Sequence, residues 1–388
     1  MAGYAPGMRP RGLLVAATCA AIAAAISCGS GRPAPIGGSS TSSSSSSSSG
    51  GPLFGDGKPK FTCADIKGPD GGTCECVEQD LLTDPPNVYF VLDRSGSMVT
   101  DDKWSTVRVV VADVVRALGQ RINVGIMVYP GNADACAAGV QRLALRQGDP
   151  PSKDAADGPT TEAVVSAMNV APGGGTPTAA MLEAAGFVLK AAKGKTFVVL
   201  ATDGAPNCAE TACDASKCSL NIEGLLGCAP GGTNCCTGPN IHGCVDDGGT
   251  DAAVKRLKLD GIPTFVIGVP GTAPYADVLD RLAQSGGTAR PQKPYYYRVD
   301  SASTADFTSA LKKVAAQILA TCTFTLKTGA KADEVNVYLD GTVVPQNDQN
   351  GWTVSDKTVT LTGETCRRVL EGDVLDVRIV SGCPTVIK

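Results

Sequence analysis

Five apolar residues in a row, Val88-Tyr89-Phe90-Val91-Leu92, run straight into Asp93-Arg94-Ser95-Gly96-Ser97. An unbroken apolar run of this length reads as a strand covered on both faces, because neither side of its pleat tolerates water. Such a strand belongs in a sheet with helices above and below it. Its end is as informative as its body. An Asp, two hydroxyls and a Gly at a strand C-terminus gather small oxygen donors at one point. Hard cations such as Mg²⁺ take oxygen ligands of this kind, with waters completing an octahedron. Two later segments are placed to complete the cluster, Gly174-Gly175-Thr176-Pro177-Thr178 and Thr202-Asp203-Gly204. This chemistry points to binding through a metal rather than to catalysis.

From Asn87 onward the pattern alternates between strand and helix. Strands are expected at Asn87–Asp93, Ile122–Tyr129, Val140–Leu145 (an edge), Lys195–Ala201, Thr264–Val269 and Tyr295–Val299. Helices are expected at Asp102–Leu118, Thr161–Val170, Pro177–Ala192, Asp251–Leu259, Ala276–Ala283 and Ser303–Ala320. In the first helix Trp104, Val107, Val110, Val111, Val114, Val115 and Leu118 share one face, with Asp101 and Asp102 as capping candidates. Alternation of this kind gives an α/β fold with a mainly parallel, Rossmann-like sheet and helices on both faces, and ligands in such sheets sit beyond the strand C-termini. Tyr295-Tyr296-Tyr297 reads as a strand with alternate rings buried. After Cys322 the segments become short, β-branched and alternating, and Asp340-Gly341 is a hairpin signal, so residues 322–388 read as a small all-β module.

The Asp-x-Ser-x-Ser, Thr and Asp elements, in this order on an α/β pattern, resemble a von Willebrand factor A (vWA) domain, over about Asn87 to Cys322. The resemblance implies a metal-ion-dependent adhesion site (MIDAS). On that pattern Asp93, Ser95 and Ser97 are first-loop ligands, Thr176 is the second-loop Thr and Asp203 the third-loop Asp. It implies Mg²⁺ or Mn²⁺, bound directly by the serines and through water by some carboxylates. It also implies an open coordination position that an acidic residue of a protein partner fills. The residues agree with this: short hydroxyls let the backbone approach an ion, and Gly96 and Gly173-Gly174-Gly175 permit tight loops. Two carboxylates against a divalent cation leave little residual negative charge, so an incoming carboxylate is accepted.

One departure from a plain vWA pattern follows Asp203. Residues 206–244 form an insertion containing Cys208, Cys213, Cys218, Cys228, Cys235, Cys236 and Cys244. Seven is odd, and Cys136, in another loop, is the natural eighth. The insertion leaves the sheet at the metal end, where it is expected to form a stiffened rim. It serves either as a specificity surface or as a stabilising decoration. Some of Cys322, Cys366 and Cys383 are expected to staple the β module, and Cys63, Cys74 and Cys76, odd in number, require a more distant partner. With Cys19 and Cys28 set aside, 14 of the 16 Cys remain. A single His (His242) and no paired Cys-x-x-Cys knuckles make disulfides the better reading than zinc.

The N-terminus reads as an export signal: Arg9 and Arg11 precede an apolar stretch, Leu13 to Ile26, too short to span a bilayer comfortably. Ala25-Ile26-Ser27-Cys28 resembles a bacterial lipobox, which implies lipidation of Cys28, a membrane anchor and a place in the cell envelope, at the outer membrane or cell surface. The expected organisation is a signal peptide (1–27), a Ser/Gly-rich tether (28–60), a small Cys-containing segment (61–86), the vWA domain (87–321) and the β module (322–388). Removing the leader with its two Arg takes the formal charge from −4 to −6. That excludes a nucleic-acid binder, which needs clustered positive charge.

Catalytic readings fare poorly. A phosphoryl-accepting Asp93 lacks a second Asp two residues on, where Ser95 stands. Ser95 and Ser97 lack the leading Gly of a Gly-x-Ser-x-Gly elbow, and a Ser-His-Asp system depends on His242 alone. The Gly173-Gly174-Gly175 run is not followed by Lys-Ser/Thr, so it is no phosphate loop. The expectation is therefore a non-enzymatic, exported, lipid-anchored protein that binds a protein partner through a divalent metal. The alternative is a structural scaffold of the envelope whose metal only stabilises loops.

Overall fold

The computed structural model describes residues 77–78, 85–131, 136–150, 156–209, 211–319 and 321–387. The leader, Cys28, the tether, and Cys63, Cys74 and Cys76 lie outside the described residues. Among the described residues no helix is long and apolar enough to cross a membrane.

The elements run in chain order as β1 (Val77–Glu78), β2 (Asn87–Asp93), α1 (Lys103–Leu118), β3 (Asn123–Tyr129), β4 (Val140–Gln147), α2 (Pro159–Ala167), α3 (Thr178–Leu189) and β5 (Thr196–Thr202). Then come α4 (Ser219–Ile222), α5 (Asp247–Leu259), β6 (Thr264–Gly268), α6 (Ala276–Gly286), β7 (Tyr297–Arg298) and α7 (Thr304–Leu319). The C-terminal part holds β8 (Thr323–Thr325), β9 (Val335–Leu339), β10 (Thr342–Val344), β11 (Trp352–Ser355), β12 (Thr358–Leu361), α8 (Gly363–Glu371) and β13 (Val377–Ser381).

The main sheet has the order β4-β3-β2-β5-β6-β7. All its pairs are parallel except β3–β4, where an antiparallel, irregular edge strand closes one side. Every residue of β2 is buried. The pleat divides them by face: Val88, Phe90 and Leu92 pack with α1, α2 and α7, while Tyr89 and Val91 pack with α3, α5 and α6. This two-sided burial is what the unbroken apolar run requires. Because β2 lies between β3 and β5, successive connections leave it in opposite directions. That reversal opens a crevice at its C-terminal end, the usual ligand position of open α/β sheets.

Three local expectations are corrected. Asp101 and Asp102 do not cap α1: both have left-handed backbone (φ 55° and 53°) and no side-chain cap bond is made. The chain must turn sharply out of the loop after Ser97, and Asp tolerates that conformation. Tyr296 and Tyr297 are both buried, one on each face of the sheet, because helices cover both faces. The C-terminal module contains a helix, α8, within its β framework. Its apolar stripe is thin, with Thr365 and Val369 its buried residues, so charged neighbours hide it in the sequence.

That module is built from two sheets, β1-β13-β9-β10 and β11-β12-β8, around a core that includes Trp352, Phe324, Val337 and Ile379. The β9–β10 turn has positive φ at both Asp340 (46°) and Gly341 (78°), as a two-residue hairpin demands. β1 precedes the main sheet in the chain yet pairs with β13 at the other end. The vWA-like part is thus inserted between two pieces of one β module. Cys322–Cys366 closes part of it, and Cys383 is disulfide-bonded as well.

Candidate metal centre

Asp93 ends β2, the strand at the reversal of the sheet, and is fully buried. Its Oδ1 accepts the backbone N–H of Ser95 at 2.7 Å, and its Oδ2 accepts the hydroxyl of Thr202, the last residue of β5, at 2.6 Å. The adjacent parallel strands therefore hold the carboxylate from two directions. The Ser95 and Ser97 hydroxyls lie 3.1 Å apart and share a hydrogen bond. Ser97 Oγ donates to Asp203 Oδ1 at 2.8 Å. Asp203, one residue beyond β5, is itself buried, and its Oδ2 accepts from the Nζ of Lys103.

The second loop is stitched to the first through backbone. Gly96 N–H donates to Gly174 O at 2.9 Å, and Gly173 N–H donates to Arg94 O at 2.7 Å. Gly174 has φ 89°, a conformation that favours Gly. Thr176 follows, buried, with its N–H held by Asn207 Oδ1 at 2.7 Å and its carbonyl accepting Asn207 N–H at 3.0 Å. The four residues Asp93, Ser95, Ser97 and Asp203 form one hydrogen-bonded chain, and Thr176 is tied to the third loop through Asn207.

Two participants, Asn207 and Lys103, escaped the sequence reading, and Thr202 was named there only within its segment, without its bond to Asp93. Thr202 carried a signal, since it is the strand-end residue beside Asp203. Lys103 carried a subtler one. It is the first residue of α1, where the helix dipole disfavours a cation, so a buried Lys there needs an anionic partner. Asn207 looked like any residue of a Cys-rich loop.

Burial, and next the charge of Asp203, push the Asp93 carboxyl well above the usual carboxylate range. Beside it the Tyr129 phenol is fully buried and its oxygen has no hydrogen-bond partner. Burial, followed by the Asp93 charge, raises that phenol too. The donor set is two carboxylates and three hydroxyls, all oxygen, which suits Mg²⁺ or Mn²⁺ rather than a softer metal. The residues fit such an ion.

The insertion is anchored next to these loops. Cys136–Cys208 ties the segment after β3 to the residue beside Asn207. Cys213–Cys244, Cys218–Cys236 and Cys228–Cys235 knit the insertion internally. The sulfurs of Cys213, Cys236 and Cys244 lie within 4.8 Å of one another, but each is consumed in a disulfide, leaving no thiolate for zinc. At the base, Ile222 and Val245 pack on Ala205 and Tyr275, and Tyr275 Oη donates to Glu223 at 2.5 Å. The single His242 is exposed and uses its carbonyl to accept the N–H of Cys208.

Residues 87–223 match the family model of the von Willebrand factor type A domain. A comparison with curated proteins found no match. Among solved structures, the chain is similar to the open conformation of the pilus adhesin SpaC from Lactobacillus rhamnosus GG (TM-score 0.45, 17% identity, 78% of this chain and 39% of that one). It is similar to the PilB minor pilin from Streptococcus sanguinis (TM-score 0.42, 18% identity, 61% of each chain). It is also similar to the vWF domain of the type V pili tip protein Mfa5 from Porphyromonas gingivalis (TM-score 0.40, 13% identity, 62% of this chain and 96% of that one). The chain thus spans 39% of the adhesin's length and 61% of the pilin's. With its strand order, its three loop elements at Asp93, Thr176 and Asp203 and the family match over residues 87–223, this chain carries a von Willebrand factor type A domain.

Proposed function

We propose that the vWA domain binds Mg²⁺ or Mn²⁺ at Asp93, Ser95, Ser97, Thr176 and Asp203, and through that ion holds a protein partner that offers a carboxylate. The observation that carries this reading is the hydrogen-bonded chain Asp93–Ser95–Ser97–Asp203 at the C-terminal ends of two adjacent strands. A bound divalent ion supplies a coordination position for a partner's carboxylate. The protein's own part is to hold five oxygen donors on short loops, Asp93, Ser95, Thr176 and Asp203 buried and Ser97 exposed, so that little ordering remains to be done when a ligand arrives. The role is adhesion or assembly rather than catalysis.

We further read the chain as an exported surface protein, anchored through Cys28 and the Ser-rich tether. Its disulfides support an oxidising compartment. The disulfide-knit insertion beside the centre is read as the rim that a partner meets.

Isothermal titration of the full chain with Mg²⁺ or Mn²⁺ should show one site that Asp93→Ala abolishes. A flat wild-type titration would sink the reading. Retention of envelope proteins on the immobilised chain should be lost with EDTA and with Asp93→Ala. Retention indifferent to both would favour a scaffold role.

A further inference from the structure

Lys103 is an oddity in the centre. It is 7% exposed, at the first position of α1, where the dipole opposes a cation. Its Nζ donates to Asp203 Oδ2 and, at 3.2 Å, to the carbonyl of Pro270 in the loop after β6. Gly271 permits that approach. Its φ is 119°, and a Cβ there would stand 2.6 Å from Asp203 O and 3.6 Å from Lys103 Nζ. Three separate segments therefore converge to keep one ammonium on the outer oxygen of a candidate metal ligand.

The charge count follows. Asp93 and Asp203, both carboxylates once a cation is bound, together with the Lys103 ammonium contribute one net negative charge. A divalent ion turns this into one net positive charge. Without Lys103 the loaded centre would be neutral. In a buried setting, where charges are weakly screened, one unit of charge strongly alters attraction for an anion.

We propose that Lys103 is the built-in cation that gives the metal-loaded centre its net positive charge, and so makes it select an anionic group of the partner at the expense of metal affinity. The proposal rests on the metal-binding reading above. Lys103 acts as a positioning residue on Asp203 and through its charge; it is not a metal ligand.

The test uses the full chain with Lys103→Met, Lys103→Gln and Lys103→Arg. Mg²⁺ affinity is read by calorimetry. Acetate binding to the Mn²⁺-loaded chain is read by loss of inner-sphere water in proton relaxation. Neutral variants should bind Mg²⁺ at least about fivefold tighter and acetate at least about threefold weaker, because a repelling and an attracting unit charge are removed together. Lys103→Arg should restore acetate binding. If either the metal or the acetate affinity is unchanged in a folded neutral variant, the proposal is overturned. If neither neutral variant folds even with Mg²⁺, Lys103 is a structural residue and the proposal is likewise overturned. A wild type that binds no metal refutes the underlying reading instead, so the two failures are told apart.

Discussion

At the scale of single residues, the centre holds buried charge that the domain core alone does not need. Asp93 is the clearest case. Its carboxyl is shifted from 3.8 to about 7 by burial and by Asp203. A carboxyl with a raised folded value contributes stability that is present below pH 4 and lost as pH rises through 7. In EDTA the wild type should therefore lose stability between pH 5 and 8 by on the order of 1 kcal/mol or more. Asp93→Asn should remove most of that slope and be at least as stable at pH 8. The amide oxygen keeps the Ser95 N–H, and the Thr202 hydroxyl can turn to Gly204 O, already at 3.3 Å. Thermal melts across pH, with chelator, check this. A variant much less stable than wild type at pH 8 would contradict it. On the proposed metal-binding reading, function here opposes stability.

At the scale of elements, the loops are positioned by ties between segments far apart in sequence. The Cys136–Cys208 disulfide, with its ends 72 positions apart, is the longest of those with both ends among the described residues. By chain entropy a link of that span stabilises by about 4 kcal/mol. Because Asn207 adjoins it and holds Thr176, replacing both Cys by Ser should lower stability by roughly that amount. It should also weaken Mg²⁺ binding. Cys228–Cys235 spans 7 residues, so its removal should cost less and leave Mg²⁺ affinity unchanged. Denaturant titration and calorimetry on the two double mutants distinguish the roles. Among elements, the long helices and buried strands were legible because burial imposes period on sequence. The α8 helix was not, since charged residues dominate its outer face. The start of α1 also differed, because two left-handed Asp residues feed it instead of capping it.

At the scale of the whole molecule, the vWA domain and the β module are joined through Arg121. Its guanidinium is buried, donates to Leu375 O at 2.9 Å and lies 5.6 Å from the centre of the Phe324 ring. Leu375 packs into the core of the vWA side. Burial brings the Arg121 value down to about 10, still charged at neutral pH. Arg121→Ala should destabilise the joint by about 2–4 kcal/mol, from a lost charged hydrogen bond and a desolvated cation–π contact. The two Trp residues make this measurable, since Trp104 sits in the vWA core and Trp352 in the module core. With each Trp replaced in turn by Phe, wild-type unfolding midpoints should coincide, and Arg121→Ala should separate them. Coincident midpoints in the variant would show that Arg121 does not couple the two parts.

The sequence by itself determined the layered α/β fold and the three segments that carry the candidate site. Both are local: apolar period reports burial of a strand or helix, and Asp93, Ser95, Ser97, Thr176 and Asp203 stand in short motifs. Tertiary structure decided what those segments meet. Lys103 reaches Asp203 across 100 residues of chain, Thr202 reaches Asp93 across 109, and β1 pairs with β13 at the far end of the sequence. Such contacts depend on strand order, and strand order is fixed by how buried faces pack, not by any pattern a local stretch of residues contains.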